Sequence, residues 1–218
     1  MFFKDKLLIL GINSTFMSVF QVLAICGMLS PIIYTAMWII VGSLNSEYNH
    51  IRDDISSLFA VGAPNRRLAQ SFVITESVLL FVFFIGLHEG INDGGGSIVG
   101  PIALLISSIF GILIALFFPL DEGGEFSTYK GKMHIILVVL MGIFAIVGMV
   151  TLWIRLESVP SWRGFAIFSL ISAILSIVGV IISSIFAAGK YRGIIERIMV
   201  TPFQLFYFIL SLMVFLNN

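Results

Sequence analysis

Residues 97–124 read SIVGPIALLISSIFGILIALFFPLDEGG. Between Ser97 and Pro119 there is no charged side chain, and the run is longer than the roughly 20 apolar residues that carry a helix across the hydrocarbon core. It ends in a proline, and two residues later Asp121 and Glu122 follow. A backbone in lipid must satisfy its own hydrogen bonds, so this stretch predicts a transmembrane helix with a polar turn at its end. Asp121 is then either the first wet residue after a crossing or part of a site.

The rest of the chain has the same character. Of its 218 residues 59% are hydrophobic and 11% are charged, with a mean hydropathy of +1.09. Soluble domains run near 45–50% apolar and 25% charged, so too little polar surface is present to cover a water-soluble globule. The formal net charge is zero, which argues against nucleic acid as a partner. The single cysteine, Cys26, lies in an apolar run and has no intrachain disulfide partner.

Reading between the charges gives six crossings, at about 17–43, 68–88, 97–119, 133–154, 164–188 and 198–216. No segment alternates in hydrophobicity over ten residues, as a membrane β-barrel would require. The expected fold is therefore all-α: a polytopic bundle of six transmembrane helices forming one membrane domain over 17–218. The polar-sprinkled segment 1–16 is expected to be interfacial, and retained because it lacks a small-x-small cleavage site. Pro31 falls inside the first crossing, where it predicts a kink.

With six crossings, the odd-numbered loops share one side of the membrane. That side carries eight of the Lys and Arg residues, against four on the side of the termini. The positive-inside rule then predicts odd loops in the cytoplasm. The expected location is a plasma membrane, with the chain integral and multi-pass.

Unusual polar residues also collect on the odd side. Loop one contains IRDDISSLF, whose Ile51, Ile55, Leu58 and Phe59 predict a short amphipathic helix lying at the interface. Loop three supplies Asp121, and His134 opens the fourth crossing after GKM. An Asp121–His134 pair would orient an imidazole for acid–base chemistry, with Ser56 or Ser57 as a neighbouring hydroxyl. Loop five adds Glu196 and Arg197. The alternative for each of these is an ordinary interfacial anchor or cap.

Glu76 stands apart. It lies nine residues past Arg67, about 13 Å along a helix axis, which is near mid-bilayer. An ionised carboxylate at that depth is costly, so Glu76 should be paired or protonated, and it marks a functional position by default. The competing reading is a structural hydrogen bond to a neighbouring helix, from Gln21 or a serine. No CxxC, HExxH or GxxxxGK[ST] occurs, and the three histidines are not at metal-ligand spacing, so neither metal nor cofactor is indicated.

The order YNHIRDDISSLF (48–59), FFPLDEG (117–123), GKMH (131–134), SWRGFAIFSL (161–170) and GIIERI (193–198) resembles the bacterial and archaeal membrane family known as domain of unknown function 998. The positions that carry the likeness are Tyr48, Arg52, Ser56, Phe118, Pro119, Asp121, His134, Glu196 and Arg197. The resemblance implies a six-helix membrane protein of prokaryotic origin with recurring polar positions on the odd side, and it implies no reaction. Glu76 lies outside the pattern.

Three functions are compatible with these features. The leading one is a polar pocket of Arg52, Ser56, Asp121, His134, Glu196 and Arg197 that binds a lipid headgroup or small amphiphile from the membrane, the arginines meeting phosphate or carboxylate. The second is a proton- or cation-coupled transporter using Glu76. The third is a structural or assembly subunit with an unidentified protein partner.

Overall fold

The computed structural model describes residues 17–122 and 125–218. The expected interfacial segment 1–16 lies outside the described residues. Six long helices carry the fold: α1 (Val19–Ser43), α2 (Arg66–Ile85), α3 (Val99–Phe117), α4 (Tyr129–Leu156), α5 (Arg163–Ile185) and α6 (Arg192–Asn217). All six are long and apolar enough to cross a membrane. The described residues contain no strand, so this is an all-α polytopic bundle.

Each helix packs against its neighbours in sequence, and α6 closes the ring by packing on α1. Side chains on the outer surface are apolar and exposed. On α4 these include Ile135, Val139, Ile143 and Val147, four residues apart and facing lipid. Inside, two apolar clusters divide the bundle. The even-end cluster joins Phe83, Phe84, Leu87, Leu152, Leu156, Trp162, Phe206 and Leu210. The odd-end cluster joins Met37, Val41, Ile55, Leu58, Ala69, Ile114 and Leu137.

Lipid supplies no hydrophobic drive between helices, so small residues and hydroxyls make the seams. Ser107 of α3 donates to the Met141 carbonyl of α4 at 2.9 Å, and Ser169 of α5 to the Met149 carbonyl of α4 at 2.8 Å. α1 starts on a capping box: Ser18 Oγ accepts from the Gln21 N–H, while Gln21 Oε1 accepts from the Ser18 N–H. It then runs on through Pro31.

Two expectations need correction. Loop one does not form an amphipathic helix on the membrane surface. Its only helical piece is a 3₁₀ turn, Ser56–Phe59. The Asn49 side chain accepts from the Ile51 N–H at 2.9 Å and Asp53 from the Asn49 N–H at 2.8 Å, giving the backbone an alternative to helix. Ile51 stays outside, half exposed, while Ile55, Leu58 and Phe59 tuck into the odd-end core.

The second correction concerns α6, which begins at Arg192 rather than near 198. Hydropathy stops at charges, but a helix continues wherever those charges find partners. Glu196 and Arg197 therefore sit on its first two turns, inside the bundle's odd end.

Candidate functional site

Arg197 organises the odd end. Its guanidinium is buried and donates from Nη1 to the carbonyls of His50 at 2.8 Å, Asp53 at 3.1 Å and Gly193 at 2.8 Å. From Nη2 it donates to the Tyr48 hydroxyl at 2.6 Å and meets His50 Nδ1 at 3.1 Å. The Trp38 ring of α1 stacks 5.0 Å from it. Two glycines admit this arrangement. A Cβ on Gly42 would lie 2.5 Å from the His50 ring, and one on Gly193 would strike the Asp53 carbonyl. The arginine ties loop one to α1 and α6, and among its donors Nε is left without a hydrogen-bond partner among the described residues. Burial pushes the Tyr48 hydroxyl up to about 12, and burial, reinforced by Arg197, lowers the pKa of His50.

Beside this knot lies an acidic pair. Glu196 accepts the Ile55 N–H at 2.5 Å and is within electrostatic reach of Asp54. Asp54 has its Oδ1 buried without a hydrogen-bond partner among the described residues, and Arg192 stands 3.7 Å from that oxygen. His134 is also within reach of Asp54. Asp53, the neighbour of Asp54, forms an ion pair with Arg52 at 2.7 Å, and this hydrogen bond lowers the Asp53 pKa.

Asp121 and His134 do not form the expected pair. Asp121 accepts from the Thr128 N–H at 2.7 Å, from the Thr128 hydroxyl at 2.6 Å and from Ser127 at 3.3 Å. Thr128 in turn caps α4 by accepting from the Gly131 N–H. The carboxylate thus anchors the start of α4, and these bonds lower its pKa. His134, fully buried, is 2.8 Å from the Phe118 carbonyl through Nδ1. A carbonyl only accepts, so Nδ1 carries the proton there. Ser56 opens the 3₁₀ turn one residue after Ile55. Of the six sequence-designated pocket residues, Glu196, Arg197 and Ser56 come together around loop one, with His134 adjacent. Arg52 is largely exposed, and Asp121 serves loop three.

Glu76 is buried at mid-bundle. Ser30 of α1 donates to Oε1 at 3.3 Å and Ser77 to Oε2 at 3.0 Å. Gln21 is elsewhere, with Nε2 donating to the Phe215 carbonyl at the even end. Tyr207 of α6 belongs to the even-end apolar cluster, and Tyr34 of α1 packs against the odd-end one.

A family model described as "Protein of unknown function (DUF998)" matches residues 28–213. The chain belongs to this family. No curated protein and no solved structure matches it. In this DUF998 protein the positions that carried the sequence resemblance fall mostly on one end of the bundle: Tyr48, Ser56, Glu196 and Arg197 in the loop-one knot, Asp121 and His134 around the start of α4. Among the described residues no group of three His, Cys, Asp or Glu side chains is placed to hold a metal ion.

Sequence reasoning passed over Asp54, Arg192, Trp38 and Tyr34, and also the even end. There Arg155 donates to the carbonyls of His88, Ile91, Gly95 and Ser97 at 2.8–3.2 Å, binding loop two to α4. Nothing in loop two's composition marked it, because apart from the His88 ring, 3.1 Å away through Nδ1, its acceptors are backbone atoms.

Proposed function

We propose that this multi-pass membrane protein binds the headgroup of a membrane amphiphile at its odd face, on Asp54, Glu196 and Arg192. One observation carries the reading: Glu196 accepts from the N–H of Ile55, the residue after Asp54, and Asp54 itself has a buried oxygen that accepts no hydrogen bond. Such an acceptor costs stability unless a donor is supplied. Arg52 and Arg197, expected to meet phosphate, are committed to Asp53 and to loop-one carbonyls. That leaves Arg192 as the cation for an anionic group and the two carboxylates for an amine or hydroxyl. A zwitterionic headgroup has both parts. The Lys/Arg excess on the odd side supports a cytoplasmic binding face in a prokaryotic plasma membrane.

The test is thermal unfolding of purified protein in detergent with added phosphatidylethanolamine or phosphatidylglycerol. The amine-bearing lipid should stabilise the wild type more, and Asp54→Asn should remove the difference while leaving the lipid-free melting temperature nearly unchanged. Equal stabilisation by both lipids, or an undiminished difference in the variant, overturns the reading.

A further inference from the structure

The same contact is built twice, once at each end of the bundle. At the odd end, Arg197 Nη1 donates to the His50 carbonyl at 2.8 Å, and Nη2 meets Nδ1 of the same residue at 3.1 Å. At the even end, Arg155 Nη2 donates to the His88 carbonyl at 3.1 Å, and Nη1 meets His88 Nδ1 at 3.1 Å. Each arginine belongs to a long helix, α6 or α4, and each histidine to the loop that the arginine holds. A guanidinium has only donors and keeps its charge in a protein, so Nδ1 is bare in both rings. The proton of each neutral imidazole is then on Nε2. His134 is the opposite case, since its Nδ1 faces a carbonyl. The other groups around the two rings are few. Tyr48 of loop one and Trp38 of α1 make T-shaped contacts with His50, and Glu89 stands 4.0 Å from Nε2 of His88. Among the described residues no other carboxylate lies within 4.0 Å of either ring.

We propose that His50 and His88 are acid-released latches, holding loop one to α6 and loop two to α4 only while their rings are neutral. Histidine is the side chain whose charge changes between about pH 5 and 8. A protonated ring presents Nδ1–H to an arginine N–H, donor against donor and cation against cation at 3.1 Å. An opened loop frees its histidine to bind a proton that the closed loop excludes. Closure is therefore complete above the ordinary histidine range and is lost as pH falls through it. For His50, burial and the Arg197 charge act in this direction. Loops one and two lie on opposite faces of the bundle, so each latch answers to the pH of its own side. Neither latch uses Asp54, Glu196 or Arg192, so the proposal stands apart from the headgroup reading.

Two measurements on the full chain purified in detergent test this. The first is the nitrogen NMR spectrum of isotope-labelled histidine at about pH 8, where bare and protonated Nδ1 resonate far apart. Of the three histidines, His50 and His88 should show a bare Nδ1 and His134 a protonated one. The second is amide exchange between about pH 8 and pH 5, expressed relative to the intrinsic rate at each pH. Protection in residues 48–55 and 88–97 should fall by up to about tenfold per pH unit below about pH 6.5, the slope for uptake of one proton, while α3 stays protected. His50→Asn places an amide oxygen at the Nδ1 position that accepts at any pH, so loop one should lose its response while loop two keeps it. His88→Asn should do the reverse, and the two variants assign the NMR signals. A protonated Nδ1 at about pH 8, protection that ignores pH in the wild type, or an undiminished response in the matching variant overturns the latch at that end. If an asparagine variant is loose at every pH, the wild-type spectrum and exchange profile decide. No lipid is added, so failure of the lipid test above leaves these outcomes unaffected.

Discussion

Replacing Arg197 by methionine tests whether the odd end is built as described. Methionine keeps the packing volume against Trp38 and removes the charge, and exchanging a buried ion for an apolar isostere is often neutral when its partners are exchanged too. Here they cannot be. Two of them are main-chain carbonyls, of His50 and Asp53, and a third is the Tyr48 hydroxyl. The Gly193 carbonyl keeps its helical bond and loses little. Only the His50 carbonyl is left without a donor, because the Tyr48 hydroxyl also donates to the carbonyls of Asp53 at 3.2 Å and Asp54 at 3.0 Å, and one orphaned buried group costs about 1–3 kcal/mol. Loss of the cation–π contact with Trp38 adds about 0.5–2 kcal/mol, so roughly 1.5–5 kcal/mol is expected.

At about 2–4 °C per kcal/mol for a chain of this size, the melting temperature should fall by at least roughly 3 °C. Cys26, the sole cysteine and part-buried in α1, provides the assay. A maleimide dye that fluoresces on thiol addition reports unfolding as the protein is heated in detergent. Arg197→Lys keeps the charge but not the planar fork that spans loop one, so it should melt between the two. Hydrogen exchange across residues 48–55 should rise in both variants. A melting temperature for Arg197→Met within about 2 °C of wild type would refute the reasoning, because the carbonyls would then have found other donors at no cost.

Three further outcomes follow from the same geometry. Gly27→Ala should destabilise by about 1–3 kcal/mol despite its better helix propensity, because the added Cβ meets Ser211 Oγ and lies 2.6 Å from the Phe83 ring; Ser211→Ala should partly restore the melting temperature. Thr128→Ala removes the α4 N-cap and should cost about 0.5–2 kcal/mol by the same assay. The lowered pKa of Asp121 means its contribution is present above the ordinary carboxylate range and lost as pH falls through its folded value; hydrogen exchange at the start of α4 should therefore accelerate below about pH 4 in wild type and less so in Thr128→Ala. A C-terminal reporter active only in the cytoplasm should stay silent, and activity there would reverse the assigned orientation.

The parts of this molecule that were legible in its sequence are those that depend on position along the membrane normal. Apolar runs located all six helices to within a few residues, and the isolation of Glu76 among Phe72, Val73, Leu79 and Leu80 marked it as an interior carboxylate. What hydropathy does not contain is azimuth. Asp53 and Asp54 are equivalent in any window average, yet one pairs with Arg52 and the other stands near Arg192 with an oxygen that accepts no hydrogen bond. Asp121 and His134 both border loop three, but their partners are a threonine seven residues on and a carbonyl sixteen residues back rather than each other. Local hydrogen bonding also defeated the helix expected in loop one, because Asn49 and Asp53 close their own turn before a helical ladder can start.

The consequence of that turn reaches the centre of the bundle. A surface helix in loop one would have left the odd end open above Tyr34. Folding inward instead, loop one places Ile55 and Leu58 over α2 while its backbone carbonyls hold Arg197 against Trp38. Both ends hold a packed apolar cluster, but part of the odd-end cluster is supplied by loop one, whose backbone Arg197 holds through hydrogen bonds. Hydrogen-bonded loops open at lower free energy than packed helices. Substitutions that loosen the carbonyl contacts of Arg197 should therefore raise hydrogen exchange in loop one before they unfold the helices.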